Sequence, residues 1–88
     1  MQMEHLSLKL LSETVINRRK SKKLSQTALA KETGINRSIL SRLELMDYTP
    51  SVDQLLSLSS VLDFKLSDVL TEDSVETVRV SKKKITAK

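Results

Sequence analysis

Eighty-eight residues, 39% hydrophobic and 30% charged, make one globular domain, with disorder expected only at its ends. The chain has no cysteine, which excludes disulfides, thiolate zinc sites and a cysteine nucleophile, and no apolar run long enough to span a bilayer. Fifteen Lys and Arg against eleven Asp and Glu give a net charge of +4, so a polyanionic partner is expected, no membrane association, and a cytoplasmic location in a reducing compartment.

Gly34 and Pro50 are the only glycine and proline, too few for a β protein full of tight turns. Both fall between stretches of helical periodicity. Leu11, Val15 and Ile16 begin an amphipathic pattern that runs into residues 17–23, with Ser12 as the expected cap. Ser25 caps a second helix over residues 26–32, with Leu29 facing inward, and Gly34 closes it in the left-handed conformation that suits glycine. Asn36 caps a third helix with Ile39, Leu40 and Leu43 on one side. Pro50-Ser51 opens a fourth, where Ser51 and Gln54 have capping-box spacing and Val52, Leu55, Leu56 and Leu62 are expected to form the buried stripe. After a turn at Asp63-Phe64-Lys65, Ser67 is expected to cap a last short helix with Val69 and Leu70. The fold class is therefore all-α, with five short helices.

The ends read differently. Leu6, Leu8 and Leu10 alternate with Ser7 and Lys9, and Val78 and Val80 flank Arg79. Period two is a strand signal, so short terminal strands pairing within one chain or across a dimer are one reading. The other is that residues 8–11 extend the first helix and the tail is disordered. The division expected is an N-terminal extension (1–11), a helical domain (12–71) and a basic tail (72–88).

Charge is segregated along the chain. Residues 9–42 hold nine bases and two acids, a net of +7. Residues 43–76 hold one base and eight acids, a net of −7, and residues 77–88 hold five bases and no acid.

The stretch from Gln26 to Leu45 carries the function. On the third helix, at about 100° per residue, Arg37, Ser38, Ser41, Arg42 and Leu45 share one face and the apolar residues take the other. Two forked cations and two small hydroxyls suit a DNA major groove. The small residues permit close approach, and each guanidinium can donate two hydrogen bonds to O6 and N7 of a guanine.

With the run LSQTALAKETGINRSILSRLE and then TPSVDQLLSLSSVLDFKLSDVL, the chain resembles the Cro/cI (Xre) family of phage-repressor-like helix-turn-helix proteins from about Val15 to Leu70. The resemblance implies a five-helix DNA-binding domain in which Arg37, Ser38 and Arg42, with Ser41 beside them, read bases. By the same resemblance Gln26 and Thr27 would touch the DNA backbone; Asn36, and Lys22 and Lys23 of a basic cluster that could equally be a solvated face, are read as further phosphate contacts. It also implies a structural ion pair between Arg19 and Glu44; an acid so close to phosphate would be costly unless paired. One departure stands out. Where the family often has asparagine, glycine and then basic residues that grip phosphate, this chain has Leu45-Met46-Asp47-Tyr48. Without glycine the turn is expected to differ in shape, and either that grip is lost or Tyr48 and the basic tail replace it.

Catalysis is not expected. There is no second histidine, no Gly-rich phosphate loop and no set of acids with active-site spacing, and His5 beside Glu4 has no partner at metal-ligand spacing, so neither cofactor nor metal is expected. Two functions of different class fit. One is a sequence-specific transcriptional regulator, a repressor that binds a palindromic operator in double-stranded DNA as a homodimer, its dimer surface supplied by residues after Pro50 or by the end strands. The alternative is an antitoxin whose main role is binding a protein toxin through its ends, with DNA autoregulation secondary.

Overall fold

The computed structural model of the protein describes residues 4–72. In chain order these form strand β1 (Glu4–Leu6) and helices α1 (Leu8–Ser21), α2 (Gln26–Thr33), α3 (Arg37–Glu44) and α4 (Val52–Leu62). A single 3-10 turn (Leu66–Val69) and strand β2 (Leu70–Glu72) complete them. The expected fifth helix is thus a 3-10 turn. Ser67 lies inside it, while Lys65 precedes it and gives its amide to Asp68 Oδ2 at 3.1 Å.

Helix α1 begins four residues earlier than its expected cap. Ser7, in extended conformation, accepts from the Leu10 amide, and Leu8 and Leu10 are helical. Ser12 is buried inside α1, where its hydroxyl donates to the backbone carbonyl of Glu44 at 2.6 Å. A serine committed to a tertiary bond is not free to cap, and period-two leucines next to a good cap are equally compatible with a helical face.

The remaining caps follow local rules. Ser25 accepts from the Ala28 amide, Asn36 from Ser38, and Ser51 forms a capping box with Gln54. Gly34 ends α2 at φ 76°, and a Cβ there would meet nothing within 4 Å. The backbone angle, not space, requires glycine at this position. Asp63 closes α4 at φ 61°, in the expected turn.

Only one terminal strand pairing is described. β1 pairs antiparallel with β2 in the register Glu4 with Glu72, His5 with Thr71 and Leu6 with Leu70. The expected partners Val78 and Val80 lie outside the described residues.

The core is built of Leu11, Val15, Leu29, Ile35, Leu40, Leu43, Leu58, Leu62, Phe64 and Val69, with Leu6, Leu24, Ala30 and Ile39 packed on it. α3 packs against both α1 and α2, and α4 against α1 and α2. In α4 the buried positions are Leu58 and Leu62. Val52 and Leu56, expected in the buried stripe, are 69% and 48% exposed. An 11-residue helix covered on one side buries a single stripe, and packing selects the one through Leu58 and Leu62.

Candidate nucleic-acid interface

Helix α3 presents Arg37, Ser38 and Arg42 to solvent, with Ser41 half-buried beside them and Leu45, its C-cap, exposed. Its opposite side, Leu40 and Leu43, is in the core. The eight-residue helix is roughly 12 Å long, which fits along a few base pairs of a major groove.

Three elements meet behind this face at Glu44. Its Oε2 accepts from Arg19 Nε at 2.7 Å and its Oε1 from Arg19 Nη2 at 3.1 Å, a forked pair with side chains only 13% and 8% exposed. Arg19 Nη1 also donates to the carbonyl of Leu24 at 2.9 Å. The hydrogen bond with Glu44 and its negative charge raise the Arg19 pKa, against the lowering effect of burial. The guanidinium therefore stays charged throughout the pH range in which proteins fold. Both charges are desolvated and paired, with the geometry that makes burial of ions tolerable.

Gln26, the first residue of α2, completes the cluster. Its Nε2 donates to Glu44 Oε1 at 3.0 Å, and its Oε1 accepts from Arg37 Nη1 at 3.5 Å. A carboxylate only accepts, so the amide nitrogen must face Glu44 and the oxygen must face outward. A chain of contacts thus runs from Arg19 through Glu44 and Gln26 to the first residue of α3. Sequence reasoning paired Arg19 with Glu44 but missed the link to Gln26. No local signal carries it, because 18 residues separate the partners.

The start of α2 offers donors. Ser25 caps the Ala28 amide, while the amides of Gln26 and Thr27, in the first turn, have no intrahelical acceptor. Thr27 is exposed. Asn36 Oδ1 accepts from both the amide (2.8 Å) and the hydroxyl (2.6 Å) of Ser38, so the Ser38 oxygen faces outward as an acceptor. Lys22 caps α1 and Lys23 follows at φ 59°, both exposed.

The loop after α3 keeps a left-handed residue without glycine. Met46 takes φ 63°, so the turn is made in spite of its side chain. The Tyr48 hydroxyl donates to Gln54 Oε1 at 2.9 Å, tying the loop to α4. Asp47 lies 3.7 Å from Arg42 Nε in an exposed pair, which contributes little. Tyr48 is thus engaged within the fold, while Asp47 puts negative charge next to the outward face of α3.

Among the described residues no helix is long and apolar enough to cross a membrane, and no three His, Asp or Glu residues are grouped to hold a metal.

A helix-turn-helix family model matches residues 15–69, well over half of the chain. The restriction-modification controller protein C.AhdI from Aeromonas hydrophila is similar in structure, with a TM-score of 0.64 and 27% identity over 70% of this chain and 94% of that one. An HTH_3 family transcriptional regulator from Vibrio cholerae is similar at a TM-score of 0.63 and 27% identity, over 70% of this chain. The match spans about a third of that longer protein, 35% of its chain. No curated protein matches. With its α2–turn–α3 unit, its polar outward face and this match, the chain belongs to the Cro/cI-type helix-turn-helix family of DNA-binding transcriptional regulators.

Proposed function

We propose that this regulator is a repressor that binds a palindromic operator as a homodimer and acts by occupancy, without catalysis. The observation that carries the reading is the outward face of α3, with two guanidinium groups and two hydroxyls over a buried apolar side. In this reading Arg37 and Arg42 donate to guanine O6 and N7, and the Ser38 oxygen accepts from an exocyclic amine. Ser41 allows close approach. The free amides of Gln26 and Thr27 take a backbone phosphate at the positive end of α2, with Asn36 Nδ2, Lys22 and Lys23 as neighbouring donors. The contact of Arg37 with Gln26 holds the guanidinium near its reading position before DNA arrives, which lowers the ordering cost of binding. Two copies on half-sites one helical turn apart compensate for the small area of one module.

Selection of bound duplexes from a randomised pool, with the wild type and Arg37→Ala in parallel, tests this. A palindrome should be recovered, and the variant should lose roughly 1–3 kcal/mol on it and much less on random DNA. An enriched single half-site would remove the homodimer. No enrichment, with binding that disappears as salt rises, would remove sequence reading altogether.

A further inference from the structure

We infer that Asp47 is a specificity-determining residue of the α3 face. Its carboxylate holds Arg42 from the side, which leaves that guanidinium directed at a base edge and cancels its attraction for phosphate. The inference rests on the base-reading role proposed above for Arg42 and adds the residue that separates reading from non-specific attraction.

Arg42 and Asp47 meet twice. The Asp47 amide donates to the Arg42 carbonyl at 2.8 Å, and Asp47 Oδ2 lies 3.7 Å from Arg42 Nε. The main-chain bond belongs to the turn after α3, in which the Met46 amide donates to the Leu43 carbonyl at 3.0 Å and Met46 is left-handed. Tyr48, next in the chain, packs on the core and is bonded to Gln54. Backbone and packing therefore bring the carboxylate beside Arg42, and the ion pair itself need not supply the energy. Both side chains stay largely in water. From Arg37 to Tyr48 the other acid is Glu44, whose side chain is turned inward to Arg19 and Gln26. Asp47 is thus the outward carboxylate of this stretch.

The side of the contact matters. A carboxylate at Nε leaves open the guanidinium edge with Nη1 and Nη2, which can donate two hydrogen bonds to guanine O6 and N7. An unpaired Arg42 is drawn to any phosphate within a Debye length. Paired, it is close to neutral as seen from the DNA backbone, while its directed hydrogen bonds to a base edge survive. Asp47 also repels a phosphate that comes near the end of α3. Both effects weaken binding to every sequence, and only a site with guanine in register recovers the loss. Arg37 serves as the contrast, because its neighbour is the neutral oxygen of Gln26 at 3.5 Å, so its pull on phosphate is undiminished.

The experiment uses the full chain as wild type, Asp47→Asn, Asp47→Ala, Arg42→Ala and the double variants. Each is titrated at two salt concentrations with the selected duplex, with that duplex changed at the base pair for which Arg42→Ala loses preference, and with random DNA. Melting curves should coincide for the Asp47 variants, since the side chain is exposed. Asp47→Asn and Asp47→Ala should bind random DNA roughly two- to fivefold tighter, with a steeper salt dependence. Affinity for the selected duplex should rise less, so preference at the Arg42 base pair falls by roughly the same factor. In the Arg42→Ala background neither substitution should change preference at that position. Equal tightening on all three duplexes would reduce Asp47 to a repelling charge and overturn the inference, as would binding that neither variant alters; base reading would stand in both cases. A wild type that enriches no duplex would overturn the base-reading role as well.

Discussion

Glu44 is the residue on which the α2–turn–α3 unit depends. Its carboxylate holds Arg19 and Gln26, and its backbone carbonyl accepts from Ser12, so one residue joins α1, α2 and α3. The side chains of Arg19 and Glu44 are nearly excluded from water. Removing one charge strands the other, a loss far larger than that of an exposed pair such as Arg42 with Asp47. Glu44→Ala should therefore lower stability by about 3 kcal/mol, seen as a fall in melting temperature of roughly 10 °C or more. DNA affinity should fall with it, because Gln26 loses the anchor that orients its oxygen toward Arg37. A melting curve that does not move would show that the pair is solvated in solution.

At the scale of elements, the turn after α3 and the β1–β2 pair both work against local preferences of the chain. Met46 makes the turn after α3 in the left-handed region, which costs a residue with a Cβ about 1–2 kcal/mol. Met46→Gly relieves that strain and adds the conformational entropy of glycine to the unfolded chain. The net gain should be about 0.5–1 kcal/mol in chemical denaturation, and a loss would mean that the methionine side chain packs usefully. The second place is the β1–β2 pair, where Glu4 and Glu72 stand directly opposite. Like charges across strands repel, so Glu72→Lys should strengthen the pairing by about 0.2–1 kcal/mol. Slower amide exchange at Leu6 and Leu70, the other end of the ladder, would report it, and faster exchange would exclude repulsion as a cost.

For the whole molecule, the order of charge along the chain has a physical consequence. The bases from Lys9 to Arg42 belong to α1, α2, α3 and the α1–α2 connection, and most of the acids follow α3. Among the described residues, a basic stretch through α3 followed by an acidic one makes a dipolar surface, and the field of a polyanion turns such a molecule before contact. Affinity for DNA should fall linearly on logarithmic axes as salt rises. Lys22→Ala and Lys23→Ala should each reduce that slope by about one while weakening all sequences alike. A slope unchanged by either substitution would place that lysine away from phosphate.

Much of this protein is set by short-range chemistry, and that part was readable from the residues alone. Ser25, Asn36 and Ser51 cap the helices that they precede, Gly34 supplies the positive φ that ends α2, and Leu29, Leu40 and Leu43 fall inside because 3.6 residues per turn puts them there. The same periodicity separates the polar face of α3 from its apolar one. Each of these signals acts over about one turn of chain. The rest was decided by which surfaces meet. Ser12 is buried and not a cap because Glu44, 32 residues away, presents a carbonyl to it. Leu6 is strand while Leu8 is helix because the only described partner, Leu70, pairs with the former. Gln26 faces inward to Glu44 across 18 residues. Val52 and Leu56 have the composition of a core stripe yet remain outside it, because α1 and α2 cover α4 on the side of Leu58 and Leu62. Sequence periodicity states that a helix has an apolar face; only packing settles which of two apolar rows is covered within the chain and which is left outside it.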